Sequence, residues 1–158
     1  RVIFLPDEFL GLHVAEQTEI EVIVWKGHCE VHERFTAEDL HSYRKQYPDI
    51  EILAHPECPP SVLKEADFIG STSGMIRHVG EQKPNRIVMI TECSMSDNVA
   101  VEFPEIEFIR PCNLCPHMKR ITLPKIFNSL QKLDFQVEVD SEVAKRARLS
   151  LERMLAVG

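Results

Sequence analysis

The sequence has little positive charge and no long apolar run. Its 158 residues carry 18 Lys and Arg against 25 Asp and Glu, a net charge of −7, and the basic residues do not collect into a patch. This balance argues against a nucleic-acid-binding surface. No apolar run approaches the roughly 18–20 residues that a membrane-spanning helix needs, and no signal-peptide pattern opens the chain. Neither nucleic acid nor membrane is therefore an expected partner.

The chain also lacks an even number of cysteines. Five cysteines argue against a fully paired secreted disulfide framework, so a reducing cytoplasm is the expected location. The sequence begins at Arg1, beside the apolar run "VIFL" and without an initiating Met. We therefore expect it to be a piece of a longer protein.

An internal repeat is the most informative feature that is present. Residues 1–29 align with residues 86–115, at an offset of 85 that becomes 86 after one inserted residue. Both segments contain Glu-Ile-Glu and end in a cysteine. The chain is therefore predicted to hold two similar units of about 86 residues, residues 1–84 and residues 85–158.

Each unit shows the same order of short apolar strands and helical patterns. Helices are predicted near residues 10–17 and 97–101, after Thr36 and Thr122 as N-caps, and over the amphipathic run 142–155. The predicted strands are residues 2–5, 21–25 and 51–54 in the first unit and 87–90, 106–109 and 137–139 in the second. Short, nearly all-apolar strands that alternate with helices are typical of parallel sheets covered on both faces, so the fold class is α/β.

Parallel α/β sheets place ligands beyond the carboxyl ends of their strands. Those ends carry Pro6-Asp7, Cys29, His55-Pro56-Glu57, Gly70-Ser71-Thr72, Thr91-Glu92 and Cys115. Two related units would direct these groups toward a shared axis. His55 and Glu57 lie two apart on an extended segment, so their side chains leave the same face. Ser71 and Thr72 precede a helical pattern, where they suit a helix cap and an anion together.

The strand-end motifs taken together resemble quinolinate synthases over essentially the whole chain. The resemblance is carried by "WKGHCEVHERFT", "AHPECP", "ADFIGSTSGMI", "TECSM" and "CNLCPHMKRITLPKI". It implies three similar α/β domains around a pseudo-threefold axis. The two repeats would be the second and third domains, and the first is absent from this sequence.

The resemblance also implies a cofactor and a set of site residues. Each domain of the family gives one cysteine to a 4Fe–4S cluster, so Cys29 and Cys115 are the expected ligands, with a third cysteine from the missing domain. The substrate is expected to bind the iron that no cysteine holds. His55 and Glu57 are expected to bind substrate and to transfer protons, and Ser71 and Thr72 to hold a phosphate or carboxylate.

The activity implied is a transferase reaction on the route to NAD. Iminoaspartate condenses with dihydroxyacetone phosphate to give quinolinate, with loss of phosphate and two waters. Association with an L-aspartate oxidase or dehydrogenase is a possible functional link. Because the first domain is absent, this chain alone is expected to be an inactive fragment.

Two alternatives from other classes remain open. One is a zinc-binding structural module that uses Cys112, Cys115 and two of Cys29, Cys58 and His117. The other is a thiol–disulfide protein that uses Cys112-x-x-Cys115.

The remaining polar and thiol side chains are expected to have lesser roles. Cys58, Cys93 and Cys112 are expected to be thiols without a ligand role. His32 is expected at the surface, and Glu92 is expected to line the cavity.

Overall fold

The computed structural model describes residues 1–111 and 113–157. Expectations that rest on Cys112 lie outside the described residues. The described part divides into two compact units, one of residues 1–116 and one that begins at His117. The first unit contains β1 (Val2–Phe4), α1 (Glu8–Glu16), β2 (Val22–Val24), α2 (Ala37–Gln46), β3 (Glu51–Ala54), α3 (Pro60–Leu63), β4 (Phe68–Ile69), α4 (Thr72–Gln82), β5 (Arg86–Ile90), α5 (Cys93–Glu102) and β6 (Glu107–Ile109).

Two parallel sheets organise the first unit. Strands β1 and β2 form a two-stranded sheet, and the other four strands form a second sheet in the order β4-β3-β5-β6. Every strand pair is parallel. The prediction of an α/β fold with parallel sheets is therefore confirmed.

The internal repeat reappears in the register of the strands. Val2 on β1 faces Val22 on β2, and Ile87 on β5 faces Phe108 on β6. The offset of 85 carries Val2 onto Ile87, and the offset of 86 carries Val22 onto Phe108. The two strand pairs therefore have the same register, which the sequence alignment alone could only suggest.

The four-stranded sheet has an apolar core on each face because successive side chains of a strand point to opposite sides. On one face Ile52, Ala54, Val88 and Ile90 pack with residues of α2 and α3. On the other face Leu53, Ile87 and Met89 pack with residues of α4 and α5. Helices on both faces fix the sheet and hold its carboxyl edge in place.

The threonines that the sequence indicates as helix caps have that role. Thr36 caps α2 through the backbone N–H of Asp39, and the Asp39 carboxylate accepts the Thr36 N–H in return, a capping box. Thr122 caps α6 (Leu123–Lys132) through the N–H of Lys125. These local signals position helices in both units.

The strand predicted at residues 137–139 is wrong. These residues form no strand, and Val137 and Val139 are exposed. A strand needs a neighbouring strand to pair its backbone groups, and the described residues from His117 onward contain no other strand. The amphipathic run that follows forms α7 (Ser141–Val157), as predicted.

The division of the repeat between residues 84 and 85 stays a prediction. The four-stranded sheet takes β3 and β4 from one side of that point and β5 and β6 from the other.

Among the residues described, we find no helix with the length and apolar character needed to span a bilayer.

Candidate functional site

Polar side chains collect at the carboxyl edge of the two sheets. His55 and Glu57 follow β3, and Thr91 and Glu92 follow β5. Cys29 follows β2 in the smaller sheet. The strands are parallel within each sheet, and the contact between His32 after β2 and Glu57 after β3 brings the two carboxyl edges together, where the sequence predicts a ligand.

The Glu57 carboxylate lies beside two imidazole rings. Its Oε2 is 3.1 Å from Nδ1 of His32 and 3.8 Å from Nδ1 of His55. The backbone N–H of Glu57 points to Nδ1 of His55 at 3.4 Å. The structure therefore brings the two predicted catalytic residues together, as their spacing on an extended segment indicates.

His32 is the site residue that the sequence prediction places wrongly. It is buried, with 7% of its surface exposed, instead of lying at the surface. Its ring stacks on that of His55 with centroids 4.6 Å apart, and its Nε2 is 2.9 Å from Oγ1 of Thr91. Nε2 is thus hydrogen-bonded to Thr91, and Nδ1 lies at ion-pair distance from Glu57, which places the ring between these two residues.

The surroundings lower the pKa values of both Glu57 and His55. A hydrogen bond from the His32 ring is the main cause that lowers the pKa of Glu57. Burial, followed by the nearby charge of His32, lowers the pKa of His55. Near neutral pH this favours an ionised carboxylate beside a neutral imidazole, a pair able to hold a cationic or hydroxyl group and to accept a proton.

The thiol of Cys29 belongs to the same group. The ligand atoms of Cys29, His32 and Glu57 all lie within 4.8 Å of one another. A cavity of about 260 Å³ opens here and is lined by Pro6, Asp7, His28, Cys29 and Glu57. The backbone N–H of Cys29 donates to Oδ2 of Asp7 at 2.6 Å.

Cys115 connects to this group through residues at the end of β5. Its backbone N–H donates to Oε1 of Glu92 at 3.3 Å. Glu92 directly follows Thr91, which contacts His32. Cys29 and Cys115, the two predicted metal ligands, are both half-buried.

Ser71 and Thr72 lie apart from these contacts. Ser71 caps α4, its Oγ accepting the N–H of Gly74 at 3.1 Å, and Thr72 is the first residue of that helix. Both are exposed. Within the described residues, neither side chain hydrogen-bonds to His55 or Glu57, so their role in holding an anion stays a prediction.

Cys58 is a buried thiol. It has no exposed surface, and its Sγ donates to the carbonyl oxygen of Ile90 at 3.4 Å. Burial raises its pKa far above the usual range for a thiol. A thiol held in this way is a poor metal ligand, which agrees with the lesser role expected for it.

The sequence places Asp7 among the strand-end groups directed toward the shared axis but assigns it no contact, and it places His32 at the surface. The repeat gives a further signal for Asp7, because it aligns Asp7 with Glu92 and Cys29 with Cys115. An acidic residue therefore recurs at a strand end in both sequence repeats, and a cysteine follows it in each. For His32 the repeat gives no such signal, since Met118 stands at its repeat position.

Comparison with known proteins agrees with the strand-end motifs. A family model described as "Quinolinate synthetase A protein" matches residues 1–156. The chain belongs to the quinolinate synthase family. Quinolinate synthase 2 of Mesorhizobium japonicum is 60% identical over 99% of this chain. Quinolinate synthases of Agrobacterium fabrum and Xylella fastidiosa are 56% and 52% identical over 99% of it.

The chain spans about half the length of the curated quinolinate synthases that it matches. It covers 48% of the Mesorhizobium japonicum protein and 46% of the Agrobacterium fabrum protein.

Proposed function

We propose that this chain supplies part of the active site of a quinolinate synthase. In the reaction, iminoaspartate condenses with dihydroxyacetone phosphate to give quinolinate, phosphate and two waters, a step toward NAD. Family membership supports the assignment. Among the contacts, the observation that carries it is Glu57, whose Oε2 lies beside the Nδ1 atoms of both His32 and His55 and close to the Cys29 thiol.

The site residues have distinct roles in this proposal. The ionised carboxylate of Glu57 orients a hydroxyl or imine nitrogen of the bound substrate. His55 transfers protons, and we assign this to Nε2 because Nδ1 lies toward Glu57. His32 holds the Glu57 carboxylate in place through Nδ1 while Thr91 holds Nε2. Fixed catalytic groups lower the barrier by avoiding the cost of orienting them during the reaction.

The cysteines suit an iron–sulfur cofactor. Half-buried thiols at Cys29 and Cys115 are the donors that 4Fe–4S clusters take. In the proposal these two thiolates hold the cluster with a third cysteine from outside this chain. When bound, a cluster with one iron free of cysteine would supply a Lewis acid.

The remaining assignments follow from the substrates. Ser71 and Thr72, at the start of α4, would hold a phosphate or carboxylate, since free backbone N–H groups at a helix N-terminus favour anions. Iminoaspartate would come from an L-aspartate oxidase or dehydrogenase. The enzyme would act as a transferase in the cytoplasm, and this chain alone would be inactive.

A second candidate is a centre for one divalent metal ion. The thiol, imidazole and carboxylate of Cys29, His32 and Glu57 form a compact donor set that Zn²⁺ also accepts. It differs from the zinc alternative built on Cys112 and Cys115, because it uses a single cysteine. Metal analysis separates it from the iron–sulfur assignment.

A chimera tests the proposed activity. In it, this chain replaces the segment that it matches in the Mesorhizobium japonicum protein. Anaerobic assays should detect quinolinate with the chimera and none with this chain alone. Glu57→Gln should abolish most of the activity, whereas Glu65→Gln, at the exposed His41–Glu65 pair, should leave it unchanged. A chimera that is folded and iron-loaded but forms no quinolinate would refute the proposal.

A further inference from the structure

Asp7 makes two hydrogen bonds with opposite ends of its carboxylate. Oδ1 accepts the backbone N–H of Leu10 at 3.1 Å, which caps α1. Oδ2 accepts the backbone N–H of Cys29 at 2.6 Å. Only 4% of Asp7 is exposed, so this carboxylate is held inside the protein by these two contacts.

Glu92 repeats this arrangement in the second strand pair. Oε2 accepts the backbone N–H of Ser94 at 2.8 Å, which caps α5. Oε1 accepts the backbone N–H of Cys115 at 3.3 Å. Glu92 is also buried, with 8% exposed. Each carboxylate thus caps the helix that follows its own strand and binds the amide of the cysteine that follows the next strand.

Helix capping does not explain the second contact. Ser71 and Thr36 cap α4 and α2 with a single hydroxyl oxygen each. Burying a carboxylate is costly unless both its oxygens find donors. Asp7 and Glu92 differ in side-chain length, yet each accepts the N–H of the cysteine at the equivalent position of its own repeat. The cap and the bond to the cysteine both recur, but the caps of α4 and α2 do without the second bond, which indicates that the bond to the cysteine is what the position serves.

We propose that Asp7 and Glu92 are paired positioning residues for the two metal-binding cysteines. Each fixes the backbone of its cysteine, and so the direction of the thiol, through a charge-assisted hydrogen bond. The naming of Cys29 and Cys115 as cluster ligands rests on the proposed function. The two hydrogen bonds themselves do not depend on it.

The proposal has a consequence for an iron–sulfur cofactor. The carboxylate adds negative charge close to its cysteine, and negative charge near a cluster lowers its reduction potential. Asp7→Asn, which removes the charge at nearly the same size, should therefore move the midpoint potential to a more positive value.

Separation-of-function variants test the hydrogen bonds in this chain without metal. Serine is a good helix cap but is too short to reach the cysteine amide, so Asp7→Ser and Glu92→Ser keep the cap and lose the second bond. Amide hydrogen exchange at Cys29 should become about tenfold faster in Asp7→Ser and stay unchanged at Cys115. Glu92→Ser should give the reverse pattern.

Thr36→Ala is the matched control. It removes a helix cap away from both cysteines and should lower thermal stability without changing exchange at either cysteine. If both cysteine amides speed up together in every variant, the changes report general loosening and the proposal is overturned. Asp7→Asn provides a second, nearly isosteric test where the serine variant does not fold. There, exchange equal to that of the parent at both Leu10 and Cys29 would overturn the proposal, because the single amide oxygen of Asn cannot replace both carboxylate oxygens.

The chimera then tests the link to the cofactor. Iron and sulfide per chain should fall at least about tenfold in Asp7→Ser and Glu92→Ser after anaerobic reconstitution, and should be unchanged in Thr36→Ala. Full iron content in both serine variants would overturn the positioning role. If the unsubstituted chimera takes up no iron, the cluster assignment fails. The two hydrogen bonds are then tested by amide exchange alone, which should become faster at Cys29 only in Asp7→Ser and at Cys115 only in Glu92→Ser.

Discussion

Nδ1 of His32 lies 3.1 Å from Oε2 of Glu57, and this contact joins the two sheets of the first unit. His32 follows β2 of the two-stranded sheet, whereas Glu57 follows β3 of the four-stranded sheet. Nε2 of the same ring reaches Thr91, which follows β5. The candidate site therefore depends on the junction between the sheets, which the side chain of His32 helps to form.

Substitutions at His32 should separate its two contacts. Asn places an amide near the position of Nδ1 and can still reach Glu57, whereas Gln reaches toward Thr91 instead. We expect His32→Gln to lower kcat of the chimera by about 10- to 100-fold and His32→Asn to retain more activity. Steady-state assays on both variants measure this difference.

His41→Gln is the control for the His32 variants. His41 makes a similar contact with Glu65 at 3.0 Å but is exposed. It should leave kcat unchanged. Equal losses in His32→Asn and His32→Gln would show that the contact with Glu57 has no special importance.

Cys58 should resist alkylation in the native chain. It is fully buried, its thiol is bonded to the Ile90 carbonyl, and burial raises its pKa, so little thiolate forms. Treatment with iodoacetamide followed by mass spectrometry should show Cys29 modified and Cys58 unmodified until urea is added. Equal labelling of the two would place Cys58 at the cavity and restore it as a candidate metal ligand.

Tyr43 should make the first unit less stable in alkaline solution. Partial burial is the main cause that raises its pKa above 10.0, and the charge of Asp39 adds to it. A raised pKa in the folded state means that the stabilisation is complete below the unfolded pKa and is lost as the pH rises through the folded value.

Urea unfolding at about pH 9 and about pH 11 tests the effect of Tyr43, since these values bracket the ordinary tyrosine pKa. The parent chain should lose more stability between them than Tyr43→Phe, which has no group to ionise. The same loss in both proteins would contradict the account.

Much of the fold could be predicted because its signals are local. The apolar strand at residues 51–54 has the bounds that the sequence indicates, since a buried parallel strand is nearly all apolar. Thr36 with Asp39 marks the start of α2 in the same local way. The repeat has a long-range counterpart in the structure, because β5 and β6 pair in the register of β1 and β2.

The errors concern properties that depend on distant partners. Residues 137–139 have the alternating pattern of a strand, yet strand formation requires a second strand, which residues 117–157 do not contain. His32 has no local signal for burial. It is buried because Thr91 and His55, which are far away in sequence, lie against its ring.

The iron content of the chimera tests the central claim most directly. After anaerobic reconstitution we expect about four iron atoms per chain, the content of one 4Fe–4S cluster. Cys29→Ser and Cys115→Ser should each lose most of this iron, whereas Cys58→Ser should keep it. One zinc ion per chain, no iron, and no effect of Cys115→Ser would contradict the account and favour a single-metal centre at Cys29, His32 and Glu57.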